Sequence, residues 1–92
     1  MLSEKTICFL GAGNLAEALI KGLIKSAVVP ASQIIASDRL NSRLLHLAEA
    51  YNIKVFNKNY EAARNADIIF LTVKPGDIPG LLGDIARDIG PG

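Results

Sequence analysis

The feature that most constrains this chain is the run Thr6-Ile7-Cys8-Phe9-Leu10, which leads without a break into Gly11-Ala12-Gly13-Asn14-Leu15-Ala16. Residues that favour extended backbone are followed by G-x-G-x-x-A and then at once by helical periodicity. A strand must therefore turn sharply into a helix. Gly11 supplies the turn, Gly13 lets a phosphate approach the backbone, and Ala16 is small enough for helix and strand to pack closely. The first N–H groups of such a helix have no partner within it and carry the positive end of its dipole. This is the first βα turn of a dinucleotide-binding fold.

The rest of the chain repeats the alternation. A helix is expected from about Asn14 to Ser26, with Leu15, Ala18, Leu19, Gly22, Leu23 and Ala27 as its apolar positions and Glu17 paired with Lys21 on the other side. A second strand, Gln33–Ser37, passes through Asp38-Arg39 into a helix running from about Asn41 to Tyr51-Asn52. Leu44, Leu45, Leu47 and Ala48 supply its buried stripe, while His46 faces outward or sideways. A short third strand, Ile53–Phe56, precedes a short helix over Tyr60–Asn65, entered through Asn59 as its cap. Asp67–Val73 is the most apolar run and is expected in the sheet centre beside the first strand. Lys74-Pro75-Gly76-Asp77 ends it, and a last helix over roughly Ile78–Asp88 turns Leu81, Leu82 and Ile85 inward. Such alternation implies a parallel sheet with right-handed crossovers. The expected architecture is a three-layer α/β/α, Rossmann-like, doubly wound sheet, partial, with strand order 3-2-1-4.

With 92 residues, half of them hydrophobic, the chain has enough material for one modest core. The formal charge is +1 with acids and bases interspersed, so no nucleic-acid or membrane surface is expected. The single Cys8 sits in an apolar strand and excludes an internal disulfide framework. No apolar run approaches the roughly 20 residues needed to span a bilayer, and a cytoplasmic protein is the default expectation. Gly90-Pro91-Gly92 falls where another strand would begin, beside an uncovered fourth strand. The chain is therefore expected to be a truncated piece of a longer enzyme.

Three loops at the carboxyl ends of the strands converge on the point where strand order reverses. They are the glycine turn, Ser37-Asp38-Arg39 and Val73-Lys74-Pro75. In the second loop an acid favours NAD through the ribose hydroxyls, whereas an arginine favours the 2′-phosphate of NADP. Asp38 and Arg39 stand side by side, so the residues alone leave that choice open; Asp38 as a helix cap and Arg39 as a solvated charge is the plainer alternative. In the third loop Pro75 restricts Lys74 to extended backbone, holding Val73-Lys74 at the crevice mouth. No metal-ligand cluster, catalytic triad or paired carboxylate presents itself. Asp84 and Asp88, one helical turn apart, read as a solvated face.

Phe9-Leu10-Gly11-Ala12-Gly13-Asn14-Leu15-Ala16-Glu17-Ala18-Leu19, Ser37-Asp38-Arg39 and Ala66-Asp67-Ile68-Ile69-Phe70-Leu71-Thr72-Val73-Lys74-Pro75 together resemble the N-terminal domain of the pyrroline-5-carboxylate reductase family. The resemblance implies reduction of 1-pyrroline-5-carboxylate to proline by hydride transfer from NADP(H), with NAD(H) also used. It implies that Leu10, Gly11, Ala12, Gly13, Asn14 and Leu15 hold the pyrophosphate and that Ser37, Asp38, Arg39 and Asn59 lie at the adenosine side. Val73 and Lys74 would line the nicotinamide side. It further implies that substrate pocket and homo-oligomer interface belong to a helical C-terminal domain, so these residues alone should be inactive and carry no catalytic group. Many members have Asn-Arg or Ser in place of Asp38-Arg39, and a carboxylate beside a 2′-phosphate costs Coulomb energy. Dual cofactor use is therefore expected. The alternatives are a related reductase of the β-hydroxyacid dehydrogenase or deazaflavin-dependent NADP type, or a non-catalytic dinucleotide sensor.

Overall fold

Four short strands, β1 (Ile7–Leu10), β2 (Ile34–Ser37), β3 (Lys54–Phe56) and β4 (Ile68–Leu71), form one sheet in the order β3-β2-β1-β4. All pairings are parallel, with Ile7 opposite both Ile34 and Ile68. The computed structural model describes residues 4–89. Between the strands lie α1 (Asn14–Lys25), α2 (Asn41–Tyr51) and α3 (Asn59–Ala63), and α4 (Ile78–Ile89) follows β4. The expected fold class and strand order are therefore both observed.

The pleat of β1 explains the layers. Ile7 and Phe9 face the side covered by α1 and α2, together with Ile34 and Ala36 of β2. Cys8 and Leu10 face the opposite side, covered by α3 and α4. All four β1 residues are buried, as a strand covered on both faces must be. Fully buried Ile20 and Leu47 close the first face, each contributing about 2 kcal/mol. Burial also pushes the Cys8 thiol up to about 12, so it packs as a small apolar group.

Several expected burial faces are corrected. Leu15 and Leu19 are 60% and 40% exposed, and Ala18, Gly22 and Ala27 also face solvent. The packed face of α1 is Ala16, Ile20, Leu23 and Ile24. Ala16 sets it: placed against the strand by the glycine turn, it carries the i+4, i+7 and i+8 positions inward. Ala27, at φ 58, ends the helix, its N–H donating to the Ile24 carbonyl. Leu45 and Leu82 also point outward, at 60% and 46% exposure. The inward residues of α2 and α4 are Leu44 and Leu47, and Leu81 and Ile85. Asn52 ends α2 in the left-handed region at φ 59, as its side chain permits.

The fourth strand lies beside β1 as expected, but at the sheet edge rather than its centre. Phe70 is 42% exposed, although its ring stacks on Phe9 with centroids 5.2 Å apart. Apolar composition reports what a strand can bury, while its position is decided by its partners. The short helix starts at Asn59, not Tyr60, and its cap residue is Lys58, without a side-chain cap bond. The carboxylates of Asp84 and Asp88 and the breaker Gly90-Pro91-Gly92 lie outside the described residues.

Candidate functional site

The glycine turn is gripped from both neighbouring strands. The Gly11 N–H donates to the Ser37 carbonyl at 2.9 Å. On the other side the Thr72 hydroxyl donates to the Gly11 carbonyl at 2.7 Å, and the Thr72 N–H donates to Leu10 at 3.0 Å. Gly11 has φ +116, and a Cβ there would lie 2.6 Å from the Thr72 carbonyl oxygen and 2.8 Å from Val73 Cγ1. Gly13 is the opposite case: a Cβ there would meet nothing within 4 Å. The two glycines thus do different work. Gly11 accommodates the protein's own third loop, and Gly13 leaves open the approach to the helix start.

Gly13 is the residue preceding α1, and its carbonyl accepts the first helical bond from Glu17 at 3.0 Å. The N–H groups of the first turn are free of intrahelical partners, as at any helix start. The Ala12 N–H, however, is not: it donates to Asp38 Oδ2 at 2.8 Å. Asp38 Oδ1 accepts from the Leu40 N–H at 2.9 Å, a local turn that leads the chain into α2. Both carboxylate oxygens are thus occupied by backbone, so Asp38 fastens the end of β2 to the glycine turn.

Ser37 is fully buried, and its hydroxyl donates to Asn59 Oδ1 at 2.6 Å. Ser37 therefore fixes the Asn59 side chain by its amide oxygen. Arg39, Asn59 and Val73 line one cavity of about 370 Å³ with Gly76, Asp77, Gly80 and Leu81. That size falls within the range of small-molecule sites. Lys74 is exposed and extended at φ −64, ψ 146, as the following proline dictates; it starts a 3₁₀ turn over Pro75–Asp77 and is not among the cavity's residues. Among the remaining expected positions, Leu10 and Ala12 are buried, Asn14 is exposed, and Leu15 projects into solvent.

Two features escaped the sequence reading. Nothing in the order of residues distinguishes Thr72 within its apolar run, and only its contact with Gly11 reveals its role. The other is a polar cluster between α1 and α2. Glu17 does not pair with Lys21. Its Oε1 lies 3.1 Å from Arg43 Nη2, and its Oε2 lies 2.8 Å from His46 Nε2 and accepts from the Tyr51 hydroxyl at 2.8 Å. No local spacing signals this, because the partners are 26 to 34 residues away. His46, Tyr51 and Arg43 hold the Glu17 carboxyl down at about 2. A depressed carboxylate contributes stability above its unfolded value, and that contribution is lost as pH falls through the folded one. The acid transition, followed by circular dichroism from pH 5 to 2, is therefore expected to be shallower in Glu17→Gln, which has no such proton to take up. Superimposable acid transitions would refute this.

A parallel sheet with order β3-β2-β1-β4, and a glycine turn at the point where that order reverses, defines the class: a Rossmann-like domain of the doubly wound type. The chain matches, over residues 6–91, the family described as NADP oxidoreductase, coenzyme F420-dependent, and belongs to that oxidoreductase family. It is 38% identical over 90 residues to the pyrroline-5-carboxylate reductase of Pseudomonas aeruginosa, covering 98% of this chain and 33% of that protein. The structure of a pyrroline-5-carboxylate reductase from Coxiella burnetii superposes with a TM-score of 0.85 at 29% identity, over 92% of this chain and 31% of that one. The Plasmodium falciparum pyrroline carboxylate reductase, determined with NADP bound, gives a TM-score of 0.75 over 96% of this chain and 31% of that one; at 21% identity it supports the fold. The resemblance drawn from the three motifs is thereby borne out. The chain spans about a third of the length of the curated relatives it matches. Among the described residues, no helix is long and apolar enough to cross a membrane.

Proposed function

We propose that this chain is the NADP(H)-binding domain of a pyrroline-5-carboxylate reductase. The observation that carries this is the gathering of Arg39, Asn59 and Val73 around one cavity, in a chain similar over nearly its whole length to reductases of that name. The residues fit the cofactor. Gly13 has open space where a side chain would stand, and the adjoining helix start offers N–H donors to a pyrophosphate. Arg39 offers a guanidinium to a 2′-phosphate, and the Asn59 amide a donor to the adenosine side. Val73, with Lys74 beside it, borders the nicotinamide side. The cofactor supplies the hydride that reduces the C=N bond of 1-pyrroline-5-carboxylate to proline. These residues bind and orient it; the substrate pocket and the pairing of subunits belong to a C-terminal helical domain of the full-length enzyme, in the cytoplasm, and the present residues alone are inactive.

Asp38 bears on cofactor choice. Its carboxylate is engaged by two backbone N–H groups, so it repels a 2′-phosphate less than a free acid would and is less available to a ribose. Both cofactors are expected to bind, with NADPH preferred by less than about a thousandfold, some 4 kcal/mol. Titration by cofactor fluorescence should show Arg39→Met weakening NADPH about tenfold while leaving NADH within about twofold. Equal weakening of both would place Arg39 elsewhere than at the 2′-phosphate. Absence of dinucleotide binding by the parent chain would remove the proposal itself.

A further inference from the structure

The polar cluster between α1 and α2 reaches the glycine turn. Arg43 stands in the first turn of α2, and its Nε donates to the Ala12 carbonyl at 2.8 Å. Its Nη2 is at the same time bound to Glu17 Oε1 at 3.1 Å. A guanidinium presents its donors in one rigid plane, so two such bonds fix its orientation as well as its position. Glu17 is in turn fixed at its other oxygen by His46 and Tyr51, the latter at the far end of α2. The Ala12 N–H is taken up by Asp38. Residue Ala12 is thus held on both its amide and its carbonyl side by groups remote in sequence.

The consequence lies in the next residue. The Ala12–Gly13 peptide is trans, as are all the described peptide bonds. Its carbonyl and its N–H therefore point in opposite directions. With the carbonyl drawn toward α2 by Arg43, the Gly13 N–H is turned away from α2. Without Arg43 that carbonyl would have no anchor, and the peptide could rotate to present an oxygen where a phosphate needs a donor.

We infer that Arg43 is a positioning residue for the phosphate-binding turn: from α2 it holds the Ala12 carbonyl and thereby aims the Gly13 N–H at a dinucleotide pyrophosphate. The inference rests on the dinucleotide reading of the site. Arg43 touches no ligand; it acts through one peptide unit, and Glu17 keeps it there. Because the pyrophosphate is common to both nicotinamide cofactors, its influence falls on them equally. An arginine that paired with a 2′-phosphate would instead distinguish them.

The test uses the parent chain, Arg43→Met, Arg43→Lys and Glu17→Gln, with NADPH and NADH each titrated by fluorescence and backbone amides followed by NMR. Arg43→Met is expected to weaken both cofactors about tenfold. Arg43→Lys, which keeps one donor, should recover part of that loss, and Glu17→Gln should lose less than Arg43→Met. In the free protein the Gly13 amide resonance should move in Arg43→Met while those of β3 stay in place. NADPH and NADH affinities within about twofold of the parent would overturn the inference. So would a loss confined to NADPH, or an unmoved Gly13 amide. If Arg43→Met does not fold, Arg43→Lys and Glu17→Gln decide by the same criteria. If the parent binds neither cofactor, the dinucleotide reading fails, and the inference, which depends on it, is overturned only in its ligand; the Gly13 amide still tells whether Arg43 sets the turn.

Discussion

Gly11→Ala is expected to cost about 3 kcal/mol of stability or more, a large part of what a domain of this size possesses. Two effects combine. At φ +116 the backbone occupies a region that L side chains rarely adopt. The added Cβ would also stand 2.6 Å from the Thr72 carbonyl oxygen and 2.8 Å from its carbon, and backbone cannot swing aside as a side chain end can. Relief requires β1 and the loop after β4 to separate, which breaks the bonds from Thr72 to Leu10 and Gly11. Urea unfolding of the two proteins measures the difference, and a loss below about 1 kcal/mol would show that the turn adapts.

Gly13→Val should do the reverse. Gly13 has φ −83 and ψ −163, which any residue adopts, and open space around the Cβ position. The fold should lose about 1 kcal/mol, the difference between a favoured and a disfavoured residue at a helix N-cap. Dinucleotide affinity should fall at least about a hundredfold, some 2.7 kcal/mol, because two methyl groups would occupy the space through which a pyrophosphate approaches the N–H groups. Calorimetric titration of NADPH against Gly13→Val, alongside its thermal melt, separates the two quantities. Near-parental affinity in a folded Gly13→Val would mean that the phosphates do not come to this turn.

The opposed behaviour of two glycines in one motif marks the boundary of what could be read from residue order. The motif itself, with Thr6–Leu10 before it and helical spacing after it, was legible because a turn, a strand and a helix start are local matters. So was the extended Lys74, dictated by its proline. That Gly11 is packed against the protein's own third loop was not legible. It depends on Thr72 and Val73, some sixty residues on, folding back over the turn.

The same division runs through the candidate site. Arg39 and Val73 could be assigned to one crevice because parallel topology brings strand ends together, whereas Asn59 was placed there only by the family resemblance. The bond from Ser37 to Asn59, and the engagement of Asp38 by Ala12 and Leu40, could not. On α1 the apolar residues form more than one stripe, so Leu15 and Leu19 were as plausible a core face as Ala16 and Ile20. Contact with the sheet made the selection.

The sequence by itself determined the order of elements, the parallel sheet, the place of the glycine turn and the family resemblance. These follow from spacing within a few residues and from the handedness of crossovers, which the chain carries everywhere. Only the tertiary structure decided which helix faces are buried and that Glu17, Arg43 and Asp38 brace the turn. Those outcomes rest on hydrogen bonds and packing between residues distant in sequence. Such partners are chosen by distance and direction in space, and no local pattern along the chain encodes either.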